Sequence, residues 1–252
     1  MKNLTRNLMD WSSVHVIGID LGDRNSQLIG VDAAGNCIVE QHIPTTRRAF
    51  EQLFCSMTPK RIAVESGTHS RWVSRLLIEL GPEVIVANSR KLRLIYENRN
   101  KNDKVDAEYL ARLARLDPKL LSPIDHRDEG AQQHLTQLRA RDVLVRTRAR
   151  MIVSIQGMVK SSGQRLPACS AESFARQARS NIPGPFREAL LPLLTTIGQL
   201  NDQIRQLPRN IERIAEDEYP EVQTLTQIAG VGKLTAVAFI VTIGDARRFD
   251  RS

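Results

Sequence analysis

Val14–Leu21 reads VHVIGIDL, and five of its eight residues are Val, Ile or Leu. Such a β-branched and apolar run, closed by Gly22, predicts a strand buried on both faces. It carries Asp20 near its end. Apolar burial disfavours a charged carboxylate unless a cation or hydrogen bonds compensate. Asp20 therefore either caps a turn or helps to hold a metal, and the strand alone leaves both open.

Three further acids supply the company that decides between these. Glu65, in RIAVESG, follows a second short apolar strand predicted over Arg61–Val64, again with a glycine close behind. Asp103 and Asp106, in KNDKVDAEYLARL, open a helical pattern. Acids at i and i+3 share a helix face, with about 5–6 Å between their Cβ atoms. Two strand ends and one helix start can thus bring Asp20, Glu65, Asp103 and Asp106 together around divalent cations. Hard oxygen donors suit Mg²⁺ or Mn²⁺. Two such ions about 3.5–4 Å apart activate a nucleophile and stabilise the leaving oxygen at a phosphodiester.

The order strand-Asp, strand-Glu, helix Asp-x-x-Asp resembles the RuvC-like, ribonuclease-H-type catalytic core. The wording GIDLG, AVESG and RNKNDKVDAEYLARL is similar to that of the DEDD insertion-sequence transposases. These are relatives of the Piv-type DNA invertases, and members are bridge-RNA-guided recombinases. The resemblance implies an α/β, ribonuclease-H-like N-terminal domain holding Mg²⁺ (or Mn²⁺) on the four acids. It also implies DNA as substrate, a guide RNA as partner, and a dimer or tetramer. It covers about residues 14–116 and 222–250.

Composition agrees with a polyanionic partner. The chain has 252 residues, a net charge of +8 and a pI of about 9.8, which favours phosphate backbones through counterion release without separating DNA from RNA. Aromatic residues make up only 4%, so contacts from Arg and Lys to phosphate are expected in preference to base stacking. No stretch of 18 apolar residues and no signal-peptide core occurs, so no membrane association is expected. Cys37, Cys55 and Cys169 are scattered and odd in number, as expected of free thiols in a reducing cytoplasm.

Along the chain, residues 1–13 read as a polar leader and residues 14–122 as the catalytic domain. Within it Ser26–Val31 and Cys37–His42 are predicted as strands completing an antiparallel meander. A helix capped by Thr45 or Thr46 runs to about Met57. A second helix starts at Thr68 or Ser70, Glu83–Val86 is a last strand, and Asn88 caps a following helix. From Ala87 to Lys119 nine Lys or Arg stand against five acids, a local net of +4. Arg99, Lys101 and Lys104 crowd Asp103, which suggests a rim that guides a strand; a solvated helix face is the plainer alternative.

Pro118 and Pro123 mark a boundary, and residues 123–218 read as a helical coiled-coil region. Its first helix, about Glu129–Val159, places Leu135, Leu138, Val145, Ile152 and Val159 on a seam, with Asp142, Ala149 and Gln156 in the remaining slots. Arg139, Arg141, Arg146, Arg148 and Arg150 occupy the polar face, and Arg139, Arg146 and Arg150 are the expected phosphate contacts. A second helix carries Leu190, Leu193, Ile197, Leu200, Ile204, Leu207, Ile211 and Ile214 at successive heptad positions, a pattern for two antiparallel helices zipped within the chain or between subunits. Pro208 is expected to kink or divide it.

Residues 219–252 read as the start of a C-terminal transposase domain. IAGVGKLTA resembles a helix-hairpin-helix turn, in which Gly230 and Gly232 let backbone N–H groups approach a phosphate and Lys233 adds charge. In the family the second block continues into a segment bearing a serine nucleophile. Ser252 does not lie in that motif, and a truncated gene or fragment is the expected explanation. Three functions remain: a transposase or site-specific recombinase, a RuvC-like nuclease using water, and a non-catalytic nucleic-acid-binding remnant.

Overall fold

The computed structural model describes residues 11–55, 57, 59–92 and 102–246, without the side chains of residues 208–210 and 212. The chain divides into two compact units, residues 1–126 and 127–252.

The first unit is a five-stranded sheet of order β3-β2-β1-β4-β5. Its strands are β1 (Val16–Leu21), β2 (Asn25–Val31), β3 (Cys37–Pro44), β4 (Arg61–Glu65) and β5 (Glu83–Ala87). The first three form the antiparallel meander, and β4 and β5 join it in parallel. Helices α1 (Arg47–Phe54) and α2 (Ser70–Glu79) follow β3 and β4. Thr46 caps α1, its hydroxyl accepting from Ala49 N at 3.3 Å. Thr45, the alternative cap, hydrogen-bonds Ser26 instead. Asn88 caps only a short 3-10 turn, Ser89–Lys91. Residues 11–13 form a further 3-10 turn, with Trp11 against the core.

Side-chain alternation along β1 sorts the two layers. Ile17 and Ile19 join Phe50, Phe54, Val73, Leu76 and Leu77 in the core beneath α1 and α2. Val16 faces the other way, with Ala63 and Ile85, toward α3 (Asp103–Leu116) and its Ala107, Leu110, Ala111 and Ala114. Gly18 shares that face. A Cβ there would land on the carbonyl oxygen of Ala107 and 2.5 Å from Ala111 N. Only glycine lets α3 lie on β1 at this depth.

The second unit is helical: α4 (Glu129–Lys160), α5 (Phe174–Asn181), α6 (Arg187–Glu218), α7 (Glu221–Leu225) and α8 (Lys233–Ile243). The α6 helix is continuous across position 208, so the proline does not divide it. Antiparallel packing of α4 on α6 follows from two clusters. Ile155 and Val159 meet Leu190, Leu194 and Ile197, while Leu135 meets Ile211 and Ala215 beside Val222, Val237 and Val241. The seam of α4 differs from the apolar pattern. Asp142 and Ala149 are exposed, whereas Arg148 is only 8% exposed. Arg148 donates to Asn201 Oδ1 at 2.8 Å and pairs with Glu172 at 3.2 Å, so a polar anchor sets which face of α4 turns inward. The arginines of α4 therefore do not share one solvated face.

Candidate active site

Two turns and a helix start frame the candidate site. In the parallel pairing of β1 with β4, the last matched residues are Ile19 and Val64. Asp20 and Glu65 are each the next residue, so they stand side by side at the same strand-end edge. Each is two residues past a position that faces α3, Gly18 and Ala63 respectively, so alternation turns both toward the α3 layer.

The direction of α3 completes the placement. Arg61, at the start of β4, donates through Nη1 to Ala114 O at 2.6 Å. The C-terminal half of α3 therefore lies over the strand starts, and its N-terminus over the strand ends. Measured from the Gly18–Ala107 crossing, Asp103 is four helical residues away, about 6 Å. Asp20 is two strand residues away in the same direction, about 7 Å. The four acids thus occupy one edge, from two strands and one helix turn.

Local hydrogen bonds hold the turns. Thr45 donates from its hydroxyl to Gly22 O at 2.9 Å, fixing the turn after Asp20. The hydroxyls of Ser66 and Ser89 lie 2.6 Å apart, and Ser66 N donates to Ala87 O, fixing the turn after Glu65. Asn102 caps α3, its side chain accepting from Lys104 N at 3.0 Å. Asp103 is exposed and Asp106 only 3% exposed. Acids in a helix's first turn also suit its dipole, typically by about 0.3–1 kcal/mol, but that does not account for burying Asp106. Asp20, Glu65 and Asp106 each engage other groups.

The donor set, all carboxylate oxygen, has the chemistry that Mg²⁺ or Mn²⁺ takes. Among the described residues, no group of three or more His, Cys, Asp and Glu is arranged to hold a metal ion.

The sequence-predicted phosphate contacts fall into three groups. Arg99 and Lys101 lie outside the described residues. Lys104 is exposed and bonds Glu40 Oε2 at 2.6 Å, a hydrogen bond that, with the Glu40 charge, raises its pKa above the usual lysine value. In the second unit Arg139, Arg146 and Arg150 are exposed, with Arg146 paired to Asp142 at 2.9 Å. Gly230 has φ +87 and Gly232 stands at the N-cap of α8, but Lys233 Nζ is held by Glu216 at 2.6 Å. Sequence reasoning missed Asp23 and His69, which sit in the two turns that follow the strand-end acids. The cue was the position of His69, four residues past Glu65 and three before Trp72.

Comparison with known proteins bears on the same residues. A family model described as a transposase, of the DEDD type of IS110 elements, matches residues 17–163. The chain belongs to the DEDD transposase family of IS110 elements. A "Probable family 20 transposase" of Pseudomonas aeruginosa is 25% identical over 92% of this chain and 69% of its own length. The "Transposase for insertion sequence element IS1111A" of Coxiella burnetii is 24% identical over 95% of this chain and 66% of its own. The chain thus spans about two thirds of the length of these relatives. By family it is a transposase, and transposases act on DNA. The mixed α/β first unit is compatible with a ribonuclease-H-like domain.

Proposed function

We propose that the first unit cuts DNA phosphodiester bonds as part of a transposase or site-specific recombinase, using Asp20, Glu65, Asp103 and Asp106 to hold Mg²⁺ or Mn²⁺. The parallel pairing of β1 and β4, which sets Asp20 beside Glu65 under the start of α3, carries this reading. The cation, when bound, polarises the scissile phosphate and activates the attacking group. The chain's own residues position that chemistry. The Gly18–Ala107 approach fixes how near α3 sits to the strand ends, with Asp106 buried in the first turn of that helix.

The domain plan follows the same resemblance: a catalytic domain over 14–122, a coiled-coil region over 123–218, and a helix-hairpin-helix-like segment from 219 that approaches a phosphate through Gly230 and Gly232. A guide RNA and a homo-oligomer belong to the intact family's mode of action. A second reading, nucleic-acid binding without cleavage, is favoured by the net charge of +8, which draws polyanions whether or not a bond is cut.

Nicking of supercoiled plasmid with added Mg²⁺ separates the two. Glu65→Gln and Asp20→Asn are expected to abolish nicking with an unchanged melting temperature. Full activity in Glu65→Gln removes the metal reading. Salt-sensitive binding without any nicking, unaltered by Asp20→Asn, supports the binding-only protein.

A further inference from the structure

The two turns that follow the strand-end acids meet through one pair of side chains. Asp23 lies three residues past Asp20, and His69 four past Glu65. His69 Nε2 is 3.9 Å from Asp23 Oδ1. His69 stands at the N-cap of α2, yet its side chain makes no capping hydrogen bond. Its Nδ1 instead accepts the indole N–H of Trp72 at 3.0 Å, with the rings edge to face at 6.0 Å. Trp72 is itself set edge-on against the fully buried Phe50 at 5.5 Å.

This arrangement fixes the imidazole. An indole N–H only donates, so the Nδ1 that accepts it bears no proton, and the neutral ring carries its proton on Nε2. A nitrogen holding a proton cannot ligate a cation, so His69 in this tautomer is not a fifth metal ligand. It is an anion-facing donor. The carboxylate before it is 96% exposed and, at 3.9 Å, beyond hydrogen-bonding reach. The donor is thus held by the core on one side and faces the exposed Asp23 carboxylate, three residues past Asp20, on the other.

We propose that His69 Nε2–H hydrogen-bonds a non-bridging phosphate oxygen of the DNA strand lying across the Asp20–Glu65 edge. Trp72 acts as the positioning residue that sets the tautomer, and Asp23 is the carboxylate that the phosphate displaces. The assignment rests on that edge being where DNA lies, the reading given above, and it adds a phosphate contact that is independent of metal.

Long-range ¹⁵N–¹H correlation spectra of the histidine-labelled chain, with the His69 signal identified by its loss in His69→Ala, report the tautomer. The Nε2–H form is expected, moving to a mixture in Trp72→Phe, which keeps a ring against Phe50 but has no N–H. Titration with a DNA duplex in EDTA should shift the His69 Nε2 signal. His69→Ala should weaken that metal-free binding about fivefold to tenfold, the scale of one lost hydrogen bond. His69→Gln should restore part of it, because its amide N–H can donate. Asp23→Asn should leave binding equal or tighter. An Nδ1–H tautomer in the wild-type chain, or wild-type affinity in His69→Ala, overturns the assignment. The two failures are distinguishable: if Asp20→Asn abolishes nicking while His69→Ala binds DNA normally, the histidine assignment falls and the metal reading stands. If Asp20→Asn nicks normally, the metal reading falls whatever the metal-free binding shows.

Discussion

Gly18 is the residue on which the candidate site turns, although it carries no chemistry. Glycine within a strand costs about 0.5–1 kcal/mol relative to alanine, so on propensity alone Gly18→Ala would stabilise the chain. The added Cβ, however, meets the backbone of α3 at Ala107 and Ala111, and a helix backbone cannot rotate aside as a side chain can. Overpacking of this kind costs about 1–3 kcal/mol, which exceeds the gain. Gly18→Ala should therefore lower the urea midpoint at unchanged slope. It should also lift the first turn of α3, and with it Asp103 and Asp106, away from Asp20. Impaired nicking at temperatures where the variant is still folded is the second expected sign. A variant as stable as the parent would mean that α3 does not lie this near β1.

At the scale of elements, α4 and α6 are held in register by a buried polar anchor rather than by apolar layers alone. Replacing Asn201 by Leu leaves the Arg148 guanidinium without its 2.8 Å acceptor in a site only 8% exposed. The expected cost is about 3 kcal/mol. Arg148→Met alone leaves Asn201 Oδ1 without its donor, although Asn201 Nδ2 still donates to Glu172 O at 3.0 Å, whereas the double variant Arg148→Met, Asn201→Leu should recover part of the loss. Thermal or urea melts around this cycle check it; simple additivity would refute the coupling. Glu172 adds a pH signature. Its own backbone N–H and then Arg148 hold its carboxyl below the usual glutamate range. A depressed folded pKa contributes stability above the unfolded value, and that contribution is lost as pH falls through the folded one. The wild-type chain should therefore lose stability below about pH 4.5 more steeply than Arg148→Met does. This anchor also shows what the sequence hid. The first unit was legible because β-branched runs, turn glycines and a capped helix each announce themselves locally, and the four acids sit where those elements end. The α4 seam was not, because counting apolar residues places Asp142 and Ala149 inside and misses that Arg148 satisfies its charge on residues 24 and 53 positions away. Asp23 and His69 escaped notice for a similar reason: the spacing of His69 from Glu65 and Trp72 was a local cue, but its meeting with Asp23 depends on two turns converging.

Over the whole molecule, a net charge of +8 ensures only that polyanions are attracted; where they lie depends on which cations are already neutralised. Lys233 is the clearest case. Its ammonium is 2.6 Å from the Glu216 carboxylate, so the glycine turn before α8 offers backbone N–H groups but little net charge. Arg139 and Arg150, by contrast, are exposed on α4, as is Arg146, which pairs with Asp142. Each phosphate neutralised contributes about 0.9 to the slope of log affinity against log salt for duplex DNA. The triple change of Arg139, Arg146 and Arg150 to Gln should therefore reduce that slope by about 2–3, weakening binding similarly on any duplex sequence. Lys233→Gln should reduce it by less than about 1, because Glu216 already occupies the charge. Anisotropy titrations across a salt series measure both. An unchanged slope in the triple variant would remove α4 from the nucleic-acid surface and leave the basic segment around Asp103 as the candidate, since the charge that draws DNA must then reside beside the acids themselves.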